Sequence, residues 1–267
     1  MKIQLDDIEV GYTMAGEGEP VVLIHGLAQD RSSWSGVQAA LTDRCTYAVD
    51  LRGHGESTVG QGEGTLAQLG GDLIRFLDKM TGPATCVGFS LGGTVVLWAA
   101  SQRPDLVRHA VVAGTSSVVG RAAVGFFEER IRQVQHDFPA FAEALKADTA
   151  SMLATAVDRL DEVTARRLQA VRDGRGYVNA ARAMVRMSAE PLTPFLPLIR
   201  CRVDAVFGDA DAFCPEKAVD ILARGLPDLV RHKIEGAAHL MSVDQPEAYA
   251  AAIRAALQQA ASQKEDG

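Results

Sequence analysis

The chain has 267 residues, of which 47% are apolar and 23% charged. This is close to the globular average of roughly 45–50% and 25%, so it can bury a sizeable core and is not broadly disordered. Lys and Arg number 27 against 34 Asp and Glu, a net charge of −7, which offers no basic field to a phosphate backbone or an anionic membrane. Neither nucleic acid nor membrane is expected as a partner. The opening Met1 to Asp7 meets acid at Asp6, leaving no room for the apolar stretch of a secretory signal, and a cytoplasmic location is expected.

In chain order, Ile3 to Met14 carries two short alternating segments split by Asp6-Asp7, the pattern of an edge hairpin with one solvated face. Val21-Val22-Leu23-Ile24, closing on His25-Gly26, and Thr46-Tyr47-Ala48-Val49, closing on Asp50, read as central parallel strands. Trp34 to Leu41 between them has helical spacing, and Leu66, Leu69, Leu73, Ile74 and Leu77 line one face of a helix over 66–80. The uncharged run Thr81 to Gln102 is long enough to raise the question of a membrane span. It contains Pro83 and four glycines, and reads instead as strand 84–89, a turn, and buried helix 91–102. A strand at Val107 to Val112 completes a βαβα rhythm, which implies a mainly parallel, doubly wound sheet covered on both faces, an α/β fold.

The rhythm then breaks. From about Ser116 to Pro194 no strand-like run occurs, and Phe126-Phe127, Phe141, Leu145, Met152, Leu168, Val171 and Ala180 to Met187 recur at helical spacing, predicting three or four inserted helices. The sheet resumes at Val203 to Phe207, followed by a helix from Pro215 to Arg224, a strand at Val230 to Ile234 and a last helix from about Pro246 to Gln259, with a frayed polar tail from Ser262 to Gly267.

Gly88-Phe89-Ser90-Leu91-Gly92 lies where an apolar strand runs directly into a helix. Such a turn strains the serine backbone, holds its hydroxyl clear of the sheet, and sets the unpaired N–H groups of the helix N-terminus beneath a developing oxyanion. A serine is a weak nucleophile alone and needs a base and an orienting carboxylate. Among six histidines, His239 follows the last strand in the small-residue loop Gly236-Ala237-Ala238-His239 and is the expected base. His25 and His54 also follow strands but suit structural loop roles, His109 and His232 sit inside strands, and His136 lies in the insertion. For the carboxylate, Asp209 and Asp211 compete on the loop after strand 203–207. Asp209 suits a loop tie, and Asp211 reaches further across toward His239.

Nucleophile, acid and histidine in that chain order, each after its own strand, resemble the α/β-hydrolase family. The resemblance spans nearly the whole chain through Val22-Leu23-Ile24-His25-Gly26-Leu27, Asp50-Leu51-Arg52-Gly53-His54-Gly55-Glu56-Ser57, Gly88 to Gly93, Gly208 to Pro215, and Gly236 to His239 followed by Gln245-Pro246-Glu247. It implies a core of residues 1–115 and 195–267, a helical cap of residues 116–194, and a catalytic set of Ser90, Asp211 and His239. It also implies an oxyanion hole from the backbone N–H groups of Leu27 and Leu91. The serine argues against the dehalogenase and epoxide-hydrolase branches, which use aspartate. The implied reaction is hydrolysis of a carboxylic ester or related acyl bond of a small, largely apolar substrate. Carbon–carbon bond or lactone hydrolysis on the same triad, or ligand binding without turnover, are the alternatives.

Trp34, Phe89, Phe126, Phe127, Phe213 and Met241 lie on or near the converging loops and cap, and are expected to line an apolar pocket. The four cysteines, Cys45, Cys86, Cys201 and Cys214, form no C-x-x-C pair and read as reduced thiols. No pair of His or Cys has metal-ligand spacing, so neither a metal nor a cofactor is expected. Gly60, Gly62 and Gly64 read as a mobile loop, and Arg166-Arg167 as part of a solvated helix face. A homo-oligomer is compatible with the sequence but not specified by it.

Overall fold

The structure is a computed structural model describing residues 1–265. Eight strands form one sheet in the order β1-β2-β4-β3-β5-β6-β7-β8. Strands β1 (Lys2–Leu5) and β2 (Ile8–Ala15) pair antiparallel at the edge, as the alternating N-terminal pattern predicts. From there β4 (Cys45–Val49), β3 (Pro20–Ile24), β5 (Ala84–Phe89), β6 (Val107–Ala113), β7 (Val203–Gly208) and β8 (Leu229–Ile234) run parallel.

Both faces of the parallel strands are covered, because successive side chains point to opposite sides. Along β3, Val22 and Ile24 enter one core with Leu69, Leu73 and Phe76 of α2 (Leu66–Phe76) and Val95 to Leu97 of α3 (Leu91–Gln102). Val21 and Leu23 enter the other with Val37 of α1 (Ser35–Ala40) and Tyr249, Ile253 and Ala256 of the C-terminal helix. Helix α1 is preceded by a 3-10 turn at Arg31–Trp34, capped where Asp30 accepts from the Ser32 N–H at 2.8 Å.

After β6 the chain leaves the sheet and forms α4 (Arg121–His136), α5 (Phe138–Ser151), α6 (Leu160–Val171) and α7 (Arg175–Arg186). Phe141, Leu145, Val171, Tyr177 and Ala181 make their own small core, closed from below by Ala28 of the loop after β3. Helix α8 (Glu216–Gly225) has Pro215 at its N-cap rather than inside its first turn. The short α9 (Met241–Asp244) leads into α10 (Pro246–Glu265), which passes the predicted end near Gln259. Of the tail expected to fray, Asp266 and Gly267 lie outside the described residues.

The glycine-rich stretch 60–64 is tied down rather than mobile. Asp7 accepts from the Gln61 N–H at 2.7 Å, and Asn179 of α7 accepts from the Gly64 N–H at 2.7 Å. Arg52 bridges Asp7 and Asp72, binding the loop after β4 to the edge hairpin and to α2. The corner of α7 approaches this loop so closely that a Cβ on Gly176 would lie 2.2 Å from the Gly53 carbonyl oxygen, so only glycine fits there.

At the opposite end of the sheet from the strand C-termini, Asp204 is fully buried. It accepts from Arg202 at 2.7 and 2.9 Å and bonds His109 at 2.8 Å and His232 at 2.6 Å. Burial alone would raise its pKa, but the bonds from Arg202 and the two imidazoles outweigh burial and hold the carboxyl well below its ordinary 3.8. A depressed carboxylate stabilises the fold above its unfolded pKa, and the contribution is lost as pH falls below that value. Asp204→Asn is expected to lower unfolding free energy by about 3–5 kcal/mol at pH 7, since it removes the buried carboxylate that Arg202, His109 and His232 share. Urea titration at pH 7 and pH 3 checks this, with the difference between wild type and variant shrinking at the lower pH.

Candidate active site

Ser90 follows the last residue of β5 and precedes the first of α3, with φ 52° and ψ −118°. A side chain at positive φ costs about 1–3 kcal/mol and persists only where its surroundings impose it. Here they do. The Ser90 N–H donates to the Ala113 carbonyl on β6 at 2.8 Å, and the Ser90 carbonyl accepts from the N–H groups of Gly93 and Thr94 at 3.0 and 3.2 Å. A Cβ on Gly92 would lie 2.1 Å from the Ile24 carbonyl oxygen, so glycine is what lets α3 start against β3.

His239 stands on the loop between β8 and α9, and its Nε2 is 3.0 Å from Ser90 Oγ. Its Nδ1 is 2.8 Å from Asp211 Oδ2, on the loop after β7. The other Asp211 oxygen accepts from the N–H groups of Phe213 and Cys214 at 2.8 and 2.9 Å. Burial pushes the Asp211 pKa up, but the bond and charge of His239 and the two backbone donors prevail and hold it below its ordinary value. Asp211 is therefore the member of the competing pair that meets the imidazole. Asp209 instead accepts from the Gly236 N–H at 2.8 Å, the loop tie expected of it.

The His239 loop is held from both sides. Asp244 of α9 accepts from the Ala238 N–H at 2.9 Å and, across the site, from the N–H groups of Ala154, Thr155 and Ala156 at 2.9 to 3.1 Å. The Leu240 N–H donates to the Met152 carbonyl at 3.0 Å. Asp244 thus fastens the segment between α5 and α6 to the loop bearing the imidazole. Nothing in its sequence context distinguished it from an ordinary helix-capping acid.

The remaining histidines have other work. His25 is fully enclosed; its Nε2 accepts from the Leu51 N–H at 2.9 Å, which leaves Nδ1 to donate to the Gly26 carbonyl at 2.8 Å. Burial pushes its pKa down to about 4. His54, 5.4 Å away ring to ring, has an Nε2 with no partner, and burial followed by the charge of His25 pushes it down to about 3. Both are neutral structural groups at pH 7. His136 ends α4 in solvent.

A small cavity of about 40 Å³ lies over Ser90 and His239, walled by Leu27, Phe89 and Phe126, and by Leu145, Asp148, Met152, Arg167, Tyr177 and Leu240. Phe89 lies 5.0 Å and Phe213 5.4 Å from the His239 ring, with Phe213 partly in solvent and 6.5 Å from Phe126. The structure does not bring the other expected pocket residues there. Trp34 stacks on Tyr249 of α10 in the core, Met241 is buried beneath the histidine loop, and Phe127 turns into the cluster formed by α4, α5 and α7. Leu91 is a buried core side chain, and only its backbone is available to the site.

Arg167, expected on a solvated face, is 6% exposed and faces inward. The signal was present in the sequence. Val163, Arg167 and Val171 recur at four-residue spacing, which places the arginine on the apolar face of α6. Among the described residues no cluster of His, Cys, Asp or Glu is arranged to hold a metal ion, and no helix is long and apolar enough to cross a membrane. The four cysteines form no disulfide, and burial pushes the Cys214 thiol up.

A model of the alpha/beta hydrolase fold family matches residues 19–246, and the chain belongs to that family. An uncharacterized protein of Mycobacterium tuberculosis is 36% identical over 111 residues, a match covering 40% of this chain and only 32% of that relative's length. The 3-oxoadipate enol-lactonase 2 of Acinetobacter baylyi is 25% identical over 256 residues, covering 94% of each chain. Among solved structures, the enol-lactonase from Burkholderia xenovorans has a TM-score of 0.86 at 22% identity, covering 97% of this chain and all of that one. A thermophilic esterase from Thermogutta terrifontis has a TM-score of 0.85 at 24% identity, covering 97% and 99%.

His25 and His54 generate an acid-stability prediction. Their folded pKa values lie below the ordinary 6.5, so between about pH 6.5 and pH 3 the unfolded chain binds the extra protons and stability falls as pH falls. Urea midpoints should drop from pH 7 to pH 5, and His54→Leu should flatten that slope while the slope of the wild type remains.

Proposed function

We propose that this chain is a serine hydrolase that cleaves a carboxylic ester or related acyl bond of a small, largely apolar molecule, with Ser90, His239 and Asp211 as its catalytic residues. The observation that carries this reading is the unbroken hydrogen-bonded line from Ser90 Oγ through His239 to Asp211. Asp211 accepts from Nδ1–H, which leaves Nε2 as the lone-pair nitrogen facing the serine. That is the tautomer a general base requires. Ser90 Oγ attacks the carbonyl carbon as its proton passes to Nε2, the imidazolium is stabilised by Asp211, and the leaving alkoxide takes the proton from Nε2. Water, activated by the same nitrogen, then cleaves the acyl-serine ester and restores the hydroxyl.

The oxyanion is received by the backbone N–H groups of Leu91 and Leu27. Among the described residues neither has a hydrogen-bond partner, and Leu91 opens α3, whose N-terminal dipole favours negative charge. A Cβ on Gly26 would lie 2.8 Å from Phe89 and 3.2 Å from the Ser90 Cβ, so the glycine lets the turn carrying Leu27 approach the nucleophile. Residues 116–194 act as the cap over a core of 1–115 and 195–267. The cavity of about 40 Å³ is far below the roughly 300 Å³ of a ligand pocket, so substrate entry requires the cap to shift. Helix α4, which carries Phe126 and has no fully buried residue, is the element that shifts.

Lactone opening is a second form of the same chemistry, since a lactone is an ester whose leaving alkoxide stays tethered. It is supported by the lactonase that aligns with 94% of this chain. Steady-state hydrolysis of p-nitrophenyl acetate and butyrate, and of a simple lactone, tests the reading. Ser90→Ala should cut kcat by about 10⁶-fold, and Asp211→Asn, which reverses the favoured tautomer, by about 10⁴-fold. Near-normal turnover by Ser90→Ala would refute the mechanism.

A further inference from the structure

Among the described residues Arg167 forms no salt bridge, although it is buried. Its Nη1 donates to Thr149 Oγ1 at 2.6 Å and lies 3.4 Å from Met152 Sδ. Its Nε is buried with no partner. The carboxylate in the same cavity wall, Asp148, is already held by both arms of Arg130 at 2.8 and 2.7 Å. Asp148 is thus paired with Arg130 from outside the wall, and Arg167, the cationic side chain of the wall itself, has no ion pair of its own among the described residues. Guanidinium groups stay protonated even when burial disfavours the charge, and a buried, unpaired ion is among the costliest features a fold can carry.

The position of this charge gives it a use. Arg167 lines the cavity that also contains Ser90 and His239. It is also the one residue shared with a groove of about 240 Å³ on the other side, lined by Gln29, Ser32, Ser33, Arg159, Arg166 and Ser242 among others. A molecule reaching the serine from that groove passes the guanidinium.

We propose that Arg167 is an anion-binding, specificity-determining residue, and that the substrate is an ester or lactone bearing a free carboxylate, which the guanidinium takes up while Ser90 attacks the acyl carbon. The inference rests on the serine-hydrolase reading for the attack but not for the anion site. The anion is singly charged, because one cationic side chain without an ion pair of its own faces it. A carboxylate suits the planar fork, whose paired donors match its two oxygens. Apart from Asp148, held by Arg130, and Tyr177, the wall beyond the Ser90–His239 pair is apolar, from Leu27, Phe89, Phe126, Leu145, Met152 and Leu240. The substrate is therefore an apolar body with one acidic end.

The test compares isosteres. Methyl hydrogen succinate, glutarate and adipate are set against the methyl esters in which the carboxylate is replaced by a methyl ketone, and acetyl esters of glycolic and 3-hydroxypropionic acid against their methyl ketone counterparts. Proton release is followed in a pH-stat. At least one acid should exceed its neutral partner in kcat/KM by about 10- to 100-fold, the range expected of a hydrogen-bonded charge. The ratio should fall to about one in Arg167→Met and keep an intermediate value in Arg167→Lys. Wild-type ratios near one throughout both series, or a ratio that survives Arg167→Met, would overturn the proposal. If Arg167→Met does not fold, the wild-type ratios and the lysine variant decide alone. Calorimetric titration of Ser90→Ala with glutarate separates the two readings. Arg167-dependent binding without any Ser90-dependent hydrolysis upholds the anion site and removes the hydrolase reading; Ser90-dependent hydrolysis with neither binding nor acid preference does the reverse.

Discussion

The backbone of one residue sets the rest of the site. Ser90 is held at a positive φ between a strand and a helix, and that conformation points its hydroxyl away from the sheet and toward the loops that follow β7 and β8. The strain is sustained by bonds that cannot relax separately: its N–H is tied to β6, its carbonyl to the first turn of α3, and α3 itself is pressed against β3 through Gly92. In a parallel sheet the loops after neighbouring strands meet at one edge. Nucleophile, carboxylate and imidazole therefore converge although 149 residues separate the first from the last.

Electrostatics then sort groups of the same type into different roles. Six histidines share one chain, yet only His239 combines a carboxylate on one nitrogen with a serine on the other. His25 and His54 are kept neutral by burial and serve as rigid filler that fixes the loops after β3 and β4. His109 and His232 bond to Asp204 in the body of the sheet. The acids divide similarly: Asp211 orients the base, Asp209 ties its loop, and Asp244 fastens the cap segment to the loop of His239. That last clamp spans cap and core and fixes the segment before α6 against the imidazole loop, whereas α4 is tied to α5 within the cap through Arg130 and Asp148.

Much of this architecture is legible in the amino-acid order because it depends on local rules. Runs such as Val21 to Ile24 and Ala84 to Phe89 are continuous and β-branched because both sheet faces are covered, and a strand meeting a helix at Gly88 to Gly92 announces the strained turn before any distance is known. The pocket was less legible, because lining depends on which way a side chain turns after its helix is docked. Trp34 and Met241 lie close to the catalytic loops in sequence but point into the core, and Phe127 differs from Phe126 by one helical step of about 100°. Arg167 was concealed by its type: beside Arg166 it looks like surface, and only its spacing from Val163 and Val171 betrays an inward position. The glycines at 60, 62 and 64 suggested mobility because the acids and amides that pin them lie far away in sequence, at Asp7 and Asn179.

If the acyl group passes through a covalent bond to the Ser90 oxygen, acid-quenched mass spectrometry of the chain during turnover of a slow ester reads that bond directly. An added acyl mass confined to the peptide that contains Ser90, appearing before steady state and missing when His239 is replaced by alanine, is the expected result. Turnover with no adduct on that peptide, or with the acyl group on another residue, would contradict the account.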